Sequence, residues 1–307
     1  MTAWPSLLVE DWEDTRDTLH MWAQIVGKVR LAKAPMVNHW WQATTYVTTR
    51  GLTTGAIPDG ERAFEMEFDF CAHELVVQVQ GGERRIVRLE PKTTAQFYSE
   101  TMAALDDLGI EVSIRPVPVE VEKAIPFAED IVHASYDAEA ARLFWGQLVQ
   151  ADRVLRQFRG RFTGKVSPVH VFWGALDMAV TRFSGRRAPR HPGGAPNCGD
   201  WVMVEGYSHE LTSAGFWPGG GGEGHFYAYA YPEPGGYAEH PVQPAAAYYD
   251  QDAGQYLLGY REVRESDDPD ATLLTFLQST YEAAADNGDG WDRDALDYRP
   301  VEGARPG

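Results

Sequence analysis

The sequence predicts an α+β fold made of an internally duplicated unit, each copy a helix, an antiparallel sheet and a closing helix. Three observations carry this prediction. Apolar residues at helical spacing open each half, an alternating strand pattern follows in each, and five short blocks recur between the halves in the same order.

The opening helices are marked by Leu19, Trp22, Ile25, Val26 and Val29, and later by Phe144, Trp145, Leu148 and Leu155. Trp22-Ala-Gln-Ile-Val26 matches Trp145-Gly-Gln-Leu-Val149. Trp41, Ala43, Thr49 and Arg50 recur as Trp173, Ala175, Thr181 and Arg182, and Leu52-Thr53 as Leu211-Thr212. Thr44 to Thr49 suits a pleated strand. Phe64-Glu-Met-Glu-Phe-Asp-Phe70 alternates apolar and acidic residues, which buries one strand face and wets the other. Its counterpart Phe226-Tyr-Ala-Tyr-Ala-Tyr231 puts a row of tyrosines where the acids stood. Hairpins turn at Gly81-Gly82 and near Asp252-Ala-Gly254. The closing helices share Phe97, Thr101, Ala104, Asp107 and Gly109 with Phe276, Thr280, Ala283, Asp286 and Gly288. A Thr93/Gln96 capping box starts the first, Asp268 and Pro269 start the second, and Gly109 and Gly288 sit where a C-terminal glycine belongs.

These features divide the chain into a first repeat over 1–122, a linker over 123–137 preceded and stiffened by proline, and a second repeat over 138–290. Residues 291–307 read as a flexible tail. The offset between matched blocks rises from 132 to 159 between Arg182 and Leu211, so the second repeat carries an insertion near 183–210.

Composition excludes several classes. Hydrophobic residues make up 44% of the 307-residue chain, which suffices for a sizeable core, and the formal charge is −18. Such a body repels phosphate backbones and anionic lipid, so neither nucleic acid nor membrane is expected as a partner. No apolar run approaches the ~20 residues a membrane span needs. The first residues lack the basic start and apolar stretch of a signal peptide, and two cysteines, Cys71 and Cys198, form no secreted-type framework. A cytoplasmic location is expected.

Ser167-Pro-Val-His-Val-Phe-Trp-Gly174, Thr181-Arg-Phe-Ser-Gly-Arg-Arg187, Tyr207-Ser-His-Glu210 and Gly215-Phe-Trp-Pro-Gly-Gly220 together resemble a bacterial family of unknown function, domain-of-unknown-function family 5996. The resemblance covers nearly the whole chain and implies no activity, none being established for the family.

Candidate site residues concentrate in the second half. The insertion holds Arg186, Arg187, Arg190, His191, Trp201, His209 and Glu210. From Arg153 to Arg190 nine Lys and Arg residues stand against one acid, Asp177, so the strip either pairs with the acidic body or attracts an anion. Asp177 lies in an apolar run and must be paired, metal-bound or neutral; an ion pair with Arg182 is the plain alternative to a site. His170 shares a face with it only if Gly174 forms a bulge. His209 rather than Glu210 is expected to face inward. Pro218-Gly-Gly-Gly-Gly-Glu-Gly224 lacks the Gly-Lys-Ser/Thr ending of a phosphate loop and reads as a lid. His133 reaches the same cleft or belongs to a helix cap.

The reading that follows is an enzyme acting on a small anionic organic molecule, with the site in the second repeat. Asp177, His170 and His209 would be catalytic, or would hold a divalent metal as the cofactor. Arg182 would anchor the anion, and Trp173, Trp217, Tyr227 and Tyr229 would line the site. The alternatives are a non-catalytic small-molecule binding protein, and a protein-interaction module using the basic strip 153–190.

Overall fold

The computed structural model describes residues 4–299. The chain opens with α1 (Val9–Lys33), where the predicted stripe from Leu19 to Val29 is buried. A 3₁₀ turn at Asn38–Ala43 leads to β1 (Tyr46–Val47), β2 (Gly51–Thr53), β3 (Ile57–Asp59), β4 (Arg62–Asp69), β5 (Glu74–Val79) and β6 (Arg84–Arg88), and α2 (Thr94–Asp107) closes this half. The second half runs α3 (Ala138–Gly160), β7 (His170–Phe172), β8 (Asp177–Arg187), α4 (Asp200–Gly206), β9 (His209–Trp217), β10 (His225–Tyr231), β11 (Tyr248–Asp250) and β12 (Gln255–Gly259). It continues through α5 (Tyr260–Arg264), α6 (Pro269–Asp286) and α7 (Arg293–Leu296).

Among the described residues the strands form two antiparallel six-stranded sheets, and the fold is α+β. One has the order β1-β2-β4-β5-β6 with β3 also on β4; the other has the order β7-β8-β9-β10-β12-β11. The sheets meet where Thr45 bridges Val171, each residue's N–H donating to the other's carbonyl at 2.8 and 3.0 Å. Alternation sets the buried faces as expected: Phe64, Met66 and Phe68 of β4 point inward, while Glu65 is exposed. Trp22 of α1 stacks on Phe97 of α2 at 4.5 Å, and Trp12 meets Phe144 of α3 at 4.9 Å, so one core runs through both halves.

The helix ends follow their local chemistry. Thr93 and Gln96 form the reciprocal capping box, Asp268 accepts from Ala271 N–H with Pro269 at the first helical position, and Asp137 caps α3. Gly109 and Gly288, at φ +65° and +62°, stop α2 and α6 in the left-handed conformation. Four of the five matched blocks fall on α1 and α3, β2 and β9, β4 and β10, and α2 and α6, whereas Trp41, Ala43, Thr49 and Arg50 lie in the 3₁₀ turn and the bend after β1, and Trp173, Ala175, Thr181 and Arg182 in the β7–β8 turn and on β8.

Two expectations are corrected. Residues 291–299, read as part of a flexible tail, are held to the body. Thr163 N–H donates to Leu296 O at 2.7 Å, and Arg293 binds Glu282, Asp286 and Asp297. Charge composition suggested a solvated tail; these ion pairs with α6 recruit it. Residues 300–307 lie outside the described residues. The segment 123–137 packs against the body, with Phe127 and Asp130 fully buried. Finally, Gly174 makes no bulge. Residues 173–176 form the turn between β7 and β8, with Leu176 at φ +57°.

Gly27 of α1 lies under the Trp173 ring, and a Cβ there would stand 2.4 Å from Trp173 Cγ. Gly27→Ala is therefore expected to cost about 1–3 kcal/mol through overpacking, seen as a lower urea midpoint with an unchanged slope.

Candidate functional site

Register decides which side chains meet. In the second sheet, Phe172 pairs with Asp177, Ala179 with Gly215 and Gly215 with Tyr227, while Thr181 pairs with Ser213 and Ser213 with Tyr229. Directly paired residues share a face, so Asp177, Ala179, Thr181, Ser213, Tyr227 and Tyr229 all look out on the face away from α3 and α6. There they floor a cavity of about 480 Å³.

Gly215 is the gap in that floor. A Cβ at this position would lie 2.7 Å from the Tyr227 hydroxyl and 1.9 Å from Met178 O. Its absence lets the Tyr227 ring lie across β9, and its hydroxyl donates a hydrogen bond to Asp177 Oδ2 on β8. A second hydroxyl pair, Tyr207 and Tyr229, lies 2.9 Å apart, and Thr181 Oγ1 is 3.0 Å from Ser213 Oγ.

The walls come from elsewhere in the chain. His39 and Trp40 of the 3₁₀ turn face Tyr207 and Trp173: Trp40 stacks on Trp173 at 5.5 Å, and the His39 ring lies 5.3 Å from that of Tyr207. Helix α4 adds Val202 and Met203, and Glu120 enters from the segment between the halves. Three wall residues hold left-handed backbone, His39 at φ +61°, Trp40 at +54° and Glu120 at +59°. Residues with a Cβ take that conformation at a cost of order 1–2 kcal/mol each. Gly174 leaves room for Glu120, whose Oε1 would sit 2.2 Å from a Cβ there.

Electrostatics follow from the walls. Burial raises the Asp177 carboxyl from 3.8 to about 6, and the Tyr227 hydrogen bond partly opposes this. Glu120 opens to the cavity rather than being sealed from water. The protein around the recess, and then the charge of Asp177, nevertheless raise its carboxyl to about 7. Burial holds His39 neutral, its pKa lowered to about 4. No lysine or arginine is among the described residues lining the cavity.

Of the sequence-predicted residues, Asp177, Trp173, Trp217, Tyr227 and Tyr229 meet here. His170, Arg182 and His209 do not. His170 faces the same side as Asp177, because the two lie on paired strands, but it sits behind Phe172, where its Nδ1 is 3.2 Å from Thr44 Oγ1. Arg182 occupies the opposite face: the strand period of two separates it from Asp177, five positions away. Its guanidinium is packed 3.5 Å from the Phe158 ring centre and 4.4 Å from that of Tyr281, and it donates to Phe158 O. It anchors α3 to the sheet and reaches no ligand in the cavity. His209 pairs with Arg187 at the far end of β9, beside Ser208.

Asp177 is half-buried and bonded to a tyrosine, not to an arginine or histidine. Among the described residues no group of three His, Cys, Asp or Glu is placed to hold a metal ion, so His170, His209 and Asp177 do not form the expected ligand set. His133 is bound to Asp130 and Glu210 to Arg186, both outside the cavity. Gly220–Gly222 border a neighbouring recess of about 700 Å³, which shares Glu120, Ala175 and Trp217 with the cavity. Sequence reasoning missed Glu120, His39, Trp40, Tyr207 and His225. The His39-Trp40-Trp41 run was a usable aromatic signal; Glu120, in an ordinary Val/Glu stretch, offered none.

The fold and the cavity define an α+β protein with an aromatic, acid-lined recess on the open face of its second sheet. The chain belongs to a family of unknown function (DUF5996), whose sequence profile matches residues 4–298. No curated protein and no solved structure matches it.

The folded pKa of Asp177 stands above its ordinary value, so its contribution to stability is complete below about pH 4 and is lost as pH rises through about 6. Asp177→Asn, neutral throughout, should flatten the fall of the urea midpoint across that window. Tyr227→Phe removes the donor that favours the charged form, so the Asp177 pKa, followed by carboxyl-carbon NMR, should move further up.

Proposed function

We propose that the chain is an enzyme that binds a small organic molecule in this cavity and moves protons on it. The observation that carries the reading is the Asp177–Tyr227 pair: a carboxyl raised to about 6, oriented by a hydroxyl and opening into a cavity walled by aromatic rings. At neutral pH Asp177 is mostly ionised and can accept a proton. Glu120, raised to about 7, is partly protonated and can return one. The strained His39, Trp40 and Glu120 add weight, because such backbone persists where the surrounding structure holds a site in shape.

The site's one-sided placement fits an internal duplication over 1–122 and 138–290. The strand order β1-β2-β4-β5 parallels β8-β9-β10-β12, and the excursion carrying α4 belongs to the second half alone. We further propose a cytoplasmic location from the cysteine content, only two in 307 residues; among the described residues no helix is long and apolar enough to cross a membrane. The interaction-module reading is weakened by the basic strip itself, where Arg153, Arg156 and Arg186 are paired with Asp270, Asp152 and Glu210.

Purified protein incubated with a mixture of small metabolites, followed by mass spectrometry, tests the proposal. The wild type should deplete one component, and Asp177→Asn should slow this about 10²–10⁴-fold while remaining folded. A component that binds without turnover would leave the non-catalytic binding protein. Neither binding nor turnover would overturn the site.

A further inference from the structure

We infer that the molecule this cavity takes carries a positively charged nitrogen, as an amine or a quaternary ammonium group, seated between Asp177, Glu120 and the surrounding rings. The inference rests on the cavity being a small-molecule site and adds the charge of its ligand, opposite in sign to that expected from the basic strip.

Two carboxyl groups face the space, and among the described residues no lysine or arginine lines it. The other polar side chains are uncharged donors and acceptors: hydroxyls, indole, imidazole and the Gln255 carboxamide. An anion would enter against Asp177 and Glu120 with no cation to offset them. A neutral molecule that displaced water would strip the Asp177 carboxylate of solvent and return no charge. A cation supplies the missing counter-charge and also gains from the electron-rich faces of aromatic rings. Trp40, Phe172, Trp217, Tyr207 and Tyr229 supply such rings around the carboxylates.

The approach carries the same sign. The adjoining recess, which shares Glu120 and Trp217, is lined by Glu10, Glu13 and Asp17, and its Arg16 is bonded to Glu13 and Asp17. Among the described residues no lysine or arginine of the basic strip lines the cavity, and Arg182 points into the core. With the chain at −18 overall, a cation is drawn toward this face at long range.

A pH dependence follows. Tyr227, Tyr207 and Tyr229 face Asp177 from β10 and the end of α4, and burial raises all three, so they stay protonated. His39 faces it from the first half as a neutral ring, and His225 lines the same cavity with its Nδ1 3.2 Å from Gly219 O. The Asp177 and Glu120 carboxyls, raised to about 6 and about 7, both change charge near neutrality. Cation binding favours their ionised forms, strengthens as pH rises through their range and releases protons.

Three probes of nearly equal shape test this on the full chain by calorimetry and protein-observed NMR: benzylamine, benzyl alcohol and benzoate. Benzylamine should bind at least tenfold more tightly than benzyl alcohol, with benzoate weakest, and its affinity should fall about tenfold between about pH 8 and about pH 5. Asp177→Asn should erase the preference for the amine, and Glu120→Gln should reduce it, which keeps the variant test usable if one of them folds poorly. Equal binding of alcohol and amine, or tighter binding of benzoate, would overturn the cationic assignment and leave the small-molecule site standing. If none of the three binds at millimolar concentration, both readings fall.

Discussion

The missing side chain at Gly215 is the constraint on which the rest of the site depends. Across the second sheet, Ala179, Gly215 and Tyr227 form one row, and each residue before the tyrosine is small. A floor of ordinary size would hold the Tyr227 ring off β9, and its hydroxyl would not reach Asp177. With the ring lying across the gap, a carboxylate on β8 obtains an uncharged donor and needs no cation. That is why an acidic residue can sit in an apolar run without an arginine beside it. Its charge is left uncompensated toward the cavity.

The other face of the same strand shows the reverse solution. Arg182 is buried to 1% exposure, and its charge is met by the rings of Phe158, Phe162 and Tyr281 and by a helix-terminal carbonyl. Burial pushes its guanidinium below the usual value, but arginine remains charged at neutral pH. One strand thus carries a cation into the core and an anion into the cavity, a few residues apart, with the sheet between them. Pairing them would have required both on one face, which an odd separation along a regular strand forbids.

The first half contributes shape rather than a second site. Its 3₁₀ turn and the segment leading to Glu120 close over the second sheet from residues far away in the chain, and they hold left-handed backbone to do so. Trp173 ties these parts together: it stacks on Trp40 on the cavity wall and rests on Gly27 of α1, with Lys28 5.4 Å from its ring. Strain in the wall is offset by packing that reaches into the common core.

Local chemistry made much of the fold legible in the sequence. The stripe from Leu19 to Val29, the alternation from Phe64 to Phe70, the Thr93/Gln96 box and the glycines at 109 and 288 each act over a few residues, and each is found as read. Asp177 and the tyrosine row could also be read, since an acid in an apolar run and aromatic residues on alternate positions are visible without a partner. The period of two even carried the information that Arg182 lies opposite Asp177. The sequence did not determine the pairing of β7 with β8, which puts His170 behind Phe172, or the distance of His209 along β9. Nor did it reveal that His39, Trp40 and Glu120 would wall the cavity. Those outcomes depend on strand register and on chain segments that meet across the two halves, and such contacts leave no periodic trace in the residues that make them.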